Sequence, residues 1–342
     1  MRNTRVIVSR IGGPEVLQVV EDEAPEPGAG QVRVAVRAAG VSHADVTIRE
    51  GMYPVPARVP FTLGYDCVGV VEKLGPGADG HWKVGDRVAA ITVRGSYARY
   101  LVWPANDLTA VPEGLDDAEA VSLVLNYVTA YQMMHRVAKL RAGERALIHS
   151  AAGGVGSALV QLGKAAGLET FGTASASKQE LVREMGATPI DYTREEFGAR
   201  VREMTGGEGV DAVFDAIGGD SFTRSFGALR RGGRFVGYGY TAKVGKGQWG
   251  RIDTFARLGW MMLQPGRTAR FYGIMFAKAK HPEWFGADLG ALFGMLASGA
   301  IRPIVAAVLP LTEAAEAHRM LERREVRGKI VLRPDVAVTG QG

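Results

Sequence analysis

A single cysteine, Cys67, stands among 342 residues. One thiol makes no internal disulfide and no multi-thiolate zinc site, and its expected role is that of a small buried apolar group. Excess charge of either sign is also scarce: 41 Lys and Arg against 36 Asp and Glu leave +5, well mixed along the chain. Nothing there calls for a polyanionic partner such as nucleic acid. The densest run, Glu322-Arg323-Arg324-Glu325 with Arg327 and Lys329, alternates in sign and reads as a solvated helix end. Long apolar runs are missing, since none approaches the roughly 20 residues that span a bilayer. The opening MRNTRVIVSRIGG lacks the apolar core of a signal peptide, so the expected location is cytoplasmic.

Glycine and valine are plentiful. Over the first 125 residues, short alternating runs such as Gln31-Val32-Arg33-Val34-Ala35-Val36 and Cys67-Val68-Gly69-Val70-Val71 are separated by turn segments such as PEPGAG and LGPGADG. This spacing predicts mostly antiparallel strands. From about residue 126 the period changes: ALIHSA, VGSALVQLGKAAG, ETFGTA, KQELVREMG and their successors alternate strand with helix. Such alternation implies right-handed βαβ units and a doubly wound parallel sheet. The expected fold class is therefore α/β, with a mainly β first part (1–125), a doubly wound part (126–266) and a tail (267–342) that returns to the first.

The strongest local signal is IHSAAGGVGSALVQLGKAAG, residues 148–167. An apolar strand runs into Gly153, Gly154, Val155 and Gly156, which open an amphipathic helix. Glycines permit the tight turn, and backbone N–H groups at a helix start suit a pyrophosphate. The choice of dinucleotide rests on the end of the next strand, where FGTASASKQE supplies Ser175, Ser177 and Lys178 and no acid before Glu180. A carboxylate at that place would bind the free ribose of NAD; hydroxyls and a cation suit a 2′-phosphate, so NADPH is expected.

Motifs along nearly the whole chain, GVSHADVTIREGMYP, PFTLGYDCVGVVEKLG, KVGDRVAA, VLNYVTAYQ, AAGGVG and EAAEAHRMLERREVRGKIVL, resemble the zinc-independent, quinone-oxidoreductase-like branch of the medium-chain dehydrogenase/reductase superfamily. The resemblance implies a GroES-like catalytic domain built from both ends of the chain around a Rossmann domain, and a homodimer formed through the strand near Ala269–Ile274. It also implies roles for particular residues. Ser175, Lys178 and Tyr192 fall at the 2′-phosphate and adenine side of NADPH, and Thr129 beside the nicotinamide. Ile217, Gly237 and Tyr238 fall around the nicotinamide ribose and ring. Ser42, Asp45, Arg49 and Tyr53 follow a pattern along the substrate cleft.

In zinc-dependent relatives the ligands come from G-x-C-H-x-D, from G-H-E and from a later cysteine. Here those places hold Ser42 and Tyr65-Asp66, with no later cysteine. Ser and Tyr are poor zinc ligands, so no metal is expected. His43 and His149 are expected to be structural. Without a Lewis acid, hydride delivery to a conjugated acceptor is easier than alkoxide chemistry, because charge spreads over an enolate or hydroquinone system. The expected activity is reduction of quinones or α,β-unsaturated carbonyl compounds, with Tyr53, Ser42 and Thr129 as catalytic candidates and Tyr53 the first choice as hydrogen-bond or proton donor. Two rival readings remain: an enoyl-thioester reductase with Lys243, Lys246, Arg251 and Arg257 forming a basic groove, or an NADPH-binding protein with little turnover. Phe255, Leu258, Trp260, Met261, Met262 and Leu263 are candidates for an acceptor pocket, a dimer contact or plain helix packing.

Overall fold

The computed structural model describes residues 1–241 and 247–334. Lys243 and Lys246 lie outside the described residues, as does the side chain of Arg251. The chain divides into two compact units, one of residues 1–125, 286–299 and 303 onward, the other of residues 126–285 and 300–302.

The described part of the first unit is mainly β. Its leading strands are β1 (Arg2–Val8), β2 (Leu17–Glu23), β3 (Gln31–Val41), β4 (Phe61–Thr62), β5 (Asp66–Leu74), β6 (Arg87–Ile91), β7 (Tyr100–Pro104) and β8 (Thr109–Ala110). The dinucleotide-type unit carries β9 (Arg145–Ile148), β10 (Glu169–Ala174), β11 (Thr188–Asp191), β12 (Val210–Asp215), β13 (Leu229–Gly237) and β14 (Thr268–Phe271), and the chain then returns with β15 (Val305–Pro310) and β16 (Lys329–Arg333). In the first unit, β3 lies between β16 and β5 in the larger sheet and β2-β1-β4 form a smaller one. The antiparallel β3–β5 pairing sets Gly40 opposite Asp66. Alternation along these strands buries Val32, Val34, Val36 and Val68, as the period of two requires.

The second unit is a parallel sheet in the order β11-β10-β9-β12-β13-β14. Strand order reverses between β9 and β12, the point at which doubly wound sheets bind ligands beyond their strand ends. Leu147, Phe171, Val213 and Phe235 from the strands pack with Phe222, Leu258 and Met261 from the helices. The return to the first unit falls later than the expected residue 267. Thr268–Phe271 pairs in parallel with β13, because the helix Gly247–Met262 acts as one more crossover and Ala269 joins that unit's core.

The segment expected to be a pocket, a contact or plain packing is split by its helical period. Leu258 and Met261 are core residues, whereas Trp260, Met262 and Leu263 are exposed. Arg257 ion-pairs with Asp220 and Asp253 of its own unit, so it is no free member of a basic groove. Lys329 corrects the reading of the basic tail: it is buried at 2% exposure, because the carboxylate of Asp66 compensates its charge inside the first unit.

Candidate active site

In the second unit, β9 ends in a tight loop with Ser150 at φ 54°, and the helix Gly154–Ala165 follows. A side chain at Gly156 would bring Cβ to 2.1 Å from the Ser150 carbonyl oxygen and 2.9 Å from Ala151 Cα. Both obstacles are backbone, so only glycine lets the helix start so close to the strand end. Gly153 caps the helix Gly154–Ala165 without any side-chain hydrogen bond, leaving the helix start to an outside acceptor. Gly154 is kept bare by the Asn126 amide, 2.2 Å from where its Cβ would stand. This cradle fits a pyrophosphate.

The parallel pairing of β10 with β11 sets Ala174 beside Asp191, so the next residues, Ser175 and Tyr192, leave neighbouring strand ends together. Ser175 begins a short turn (Ala176–Lys178) without using its hydroxyl as a cap. Tyr192 is 49% exposed. The nearby Asp191 carboxylate is turned to Thr193, accepting from its N at 3.0 Å and its Oγ1 at 2.6 Å, and these bonds hold its pKa below the usual range.

At the switch point sits a buried network that sequence reasoning did not find. Asp215, at the end of β12, accepts from Ile217 N at 2.7 Å, from Ser221 Oγ at 2.7 Å and from Ser225 Oγ at 2.8 Å. Ser225 Oγ lies 2.8 Å from His149 Nε2, and His149 Nδ1 lies 3.0 Å from Thr173 Oγ1. Burial pushes the His149 pKa down, so the ring is neutral. Because Ser225 donates to Asp215, His149 donates from Nε2 and accepts at Nδ1. His149 is thus a satisfied interior residue, and the network pins the loop that carries Ile217. Gly218 there has φ 79° and stands where a Cβ would meet Tyr240 at 2.9 Å. Tyr238 N donates to the Asp215 carbonyl, and a Cβ on Gly237 would lie 2.6 Å from Phe222. Thr129 lies in the short helix Val128–Tyr131, flanked by widened turns at 123–127 and 132–137, an irregularity frequent at functional sites.

In the first unit, Ser42 starts the helix α1 (His43–Arg49) through a capping box with Asp45. Ser42 Oγ donates to Asp45 Oδ2 at 2.6 Å, and Ser42 N donates to the same atom at 2.9 Å. Burial pushes the Asp45 pKa up to about 7 against these bonds. Arg49, which the cleft pattern placed beside substrate, is fully buried: it donates to the Gly12 carbonyl at 2.9 Å, meets His318 Nδ1 at 3.0 Å and pairs with Glu322 at 2.5 Å. Burial, helped by the Arg49 charge, pushes His318 down to about 3. Cys67 is buried, as expected, whereas His43, expected to be structural, is exposed. Lys329 Nζ sits 3.0 and 3.2 Å from the two Asp66 oxygens. Gly40 makes room for that pair, since its Cβ would fall 2.4 Å from Nζ. The half-buried Tyr53 has its hydroxyl 2.7 Å from that of Tyr65, a partner the sequence did not announce.

A parallel sheet with a glycine-rich helix start at its switch point, joined in one chain to a mainly β unit, defines a dinucleotide-dependent oxidoreductase class. The family comparisons agree: residues 28–113 match the alcohol dehydrogenase GroES-like domain and residues 185–332 a zinc-binding dehydrogenase domain. A quinone oxidoreductase of Pseudomonas aeruginosa is 35% identical over 96% of this chain and 99% of that protein. A 2-haloacrylate reductase of Burkholderia sp. is 34% identical over 96% and 98%. The solved structure of Escherichia coli quinone oxidoreductase complexed with NADPH superposes with a TM-score of 0.87 at 30% identity, covering 97% of this chain and all of that one. The chain also spans 15% of the length of a Mycobacterium bovis phthioceranic/hydroxyphthioceranic acid synthase, at 35% identity. The chain belongs to the medium-chain dehydrogenase/reductase family, in its quinone-oxidoreductase-like branch.

The name of the second matched domain raises the question of zinc, and the residues at the ligand places answer it poorly. Ser42 Oγ is given to Asp45, Tyr65 faces Tyr53, and the Asp66 carboxylate is neutralised by an ammonium. A dication beside Lys329 would meet repulsion where a zinc centre needs anionic or imidazole donors. Among the described residues no three His, Cys, Asp or Glu side chains are grouped to hold a metal. No helix of the described residues is long and apolar enough to cross a membrane.

Proposed function

We propose that this protein is an NADPH-dependent reductase of quinones or α,β-unsaturated carbonyl compounds that works without a metal. The observation that carries this reading is the pairing of a pyrophosphate cradle free of side-chain caps with ligand places whose donors are all engaged elsewhere. Gly153, Gly154, Val155 and Gly156 would hold the pyrophosphate; Ser175, Lys178 and Tyr192 the 2′-phosphate side; Thr129, Ile217, Gly237 and Tyr238 the nicotinamide side. NADPH supplies a hydride when bound.

Tyr53 donates a hydrogen bond, and finally a proton, to the acceptor oxygen on which charge develops, so hydride plus proton give the hydroquinone or the enol of the saturated carbonyl product. Burial keeps the Tyr238 hydroxyl protonated by pushing its pKa up, so it can donate as well. Ser42 contributes by fixing the start of α1, its hydroxyl being spent on Asp45. A homodimer paired through the edge strand β14 belongs to the same reading, and light scattering from a monomer at micromolar concentration would reject it.

NADPH oxidation measured in parallel with quinones, enones and enoyl-thioesters tests the acceptor class. Turnover with the first two is expected to exceed turnover with thioesters. The enoyl-thioester reading draws on the 35% identical synthase segment, and dominance of thioesters would put it first. No turnover with any of the three would leave the NADPH-binding role alone.

A further inference from the structure

We propose that Asp215 is a positioning residue for the cofactor: its buried carboxylate sets the loop 216–219 in the shape that receives the nicotinamide half of NADPH, an inference that rests on the nicotinamide-side reading of Ile217, Gly237 and Tyr238 above. Asp215 ends β12 and is 0% exposed. Its two oxygens serve different elements. Oδ1 accepts from Ile217 N at 2.7 Å and from Gly218 N at 3.4 Å, both in the loop. Oδ2 accepts from Ser221 Oγ at 2.7 Å and Ser225 Oγ at 2.8 Å, four residues apart and so on one face of the helix Asp220–Gly227. A backbone N–H only donates and a carboxylate only accepts, so the sense of the loop bonds is fixed.

The loop needs such a hold. Gly218 and Gly219 stand at φ 79° and φ 59°, and glycine has more backbone freedom to lose on ordering than any other residue. Further ties close the same loop: Gly219 N donates to Thr254 Oγ1 at 3.0 Å, and the Ala216 carbonyl accepts from Thr241 N at 2.9 Å and Thr241 Oγ1 at 3.1 Å. Tyr238 N donates to the Asp215 carbonyl at 3.0 Å, so one residue holds both the loop and the end of β13.

Packing alone at the end of β12 would be served by an apolar residue, without the cost of a buried anion. The carboxylate instead orders the loop before the cofactor arrives, which spares NADPH the entropy of ordering it. Asp215 acts through the loop amides. The effect falls on the nicotinamide half, because the 2′-phosphate side belongs to the ends of β10 and β11.

Calorimetric titration of wild type, Asp215→Ala and Asp215→Asn with NADPH and with adenosine 2′,5′-bisphosphate, which carries the 2′-phosphate but no nicotinamide, tests this role. Asp215→Ala removes the acceptor and should raise the Kd for NADPH about tenfold, the scale of ordering one loop residue, while the Kd for the bisphosphate stays constant. Asp215→Asn should recover most of the affinity: its amide oxygen accepts from Ile217 N, and its NH2 group donates to the serine hydroxyls, which rotate to accept. A purely structural role would weaken both ligands together. Should Asp215→Ala not fold, hydrogen exchange of the cofactor-free wild type decides, because the Ile217 amide should already exchange slowly before NADPH is added. Equal loss of both ligands, an Asp215→Asn variant as weak as Asp215→Ala, or an Ile217 amide protected only once NADPH is bound would overturn the proposal. Wild type that binds NADPH no more tightly than the bisphosphate removes the nicotinamide-side reading and this proposal with it. Wild type that prefers NADPH, with the preference intact in Asp215→Ala, removes this proposal alone.

Discussion

Lys178 stands at the N-cap of the helix Gln179–Glu184, at the end of the short turn that Ser175 begins. If its ammonium meets the 2′-phosphate, Lys178→Ala should raise the KM for NADPH and leave that for NADH nearly unchanged. A charge-assisted contact of this kind contributes about 1.5–3 kcal/mol, so the loss in NADPH efficiency should be about tenfold to a hundredfold. Steady-state kinetics with both cofactors measure this, and equal losses would assign Lys178 a structural role. The setting of Lys178 was legible because it is local: a strand, a turn and the absence of an acid. The Lys329–Asp66 and Arg49–His318 contacts were not, since 263 and 269 residues separate the partners. Alternating charge around residue 325 looks the same whether a lysine faces water or a buried carboxylate.

At the scale of the element, α1 shows how a helix start can carry a pH dependence. The Asp45 carboxyl is fully buried, its Oδ2 is bonded to Ser42 and its Oδ1 has no hydrogen-bond partner. Burial raises its pKa from 3.8 to about 7. The folded value lies above the unfolded one, so between these pH values the native state binds more protons and stability falls as pH rises. Asp45→Asn cannot ionise and keeps an oxygen to accept from Ser42. Relative to wild type, this variant should gain about 2 kcal/mol in unfolding free energy between pH 5 and pH 8. Urea unfolding at the two pH values measures the gain, and a pH-independent difference would refute it. The sequence offered Ser42 and Asp45 only as members of a cleft pattern; neither their capping pair nor the burial of Asp45 beside Asp66 and Lys329 was visible there, because β5 and β16 bring those charges from far along the chain.

For the whole molecule, the alternation of strand and helix after residue 126 announced the parallel sheet, since each βαβ unit is short in sequence. The boundary near 267 was misplaced because ARFYGI reads equally well as a strand of either unit; only the crossover formed by Gly247–Met262 and the burial of Ala269 assign it. The glycines at 153–156 and the missing thiolates could be read directly, whereas the Asp215–His149 network required the strand order that brings β9, β10 and β12 side by side. These features converge on hydride transfer by a protein whose zinc-ligand places have been given to other bonds. The direct test is NADPH oxidation with a quinone acceptor by protein dialysed against a strong chelator, with metal content measured in the same sample. Turnover should persist unchanged with far less than one metal per chain. Loss of turnover on chelation, restored by one equivalent of zinc, would contradict the account.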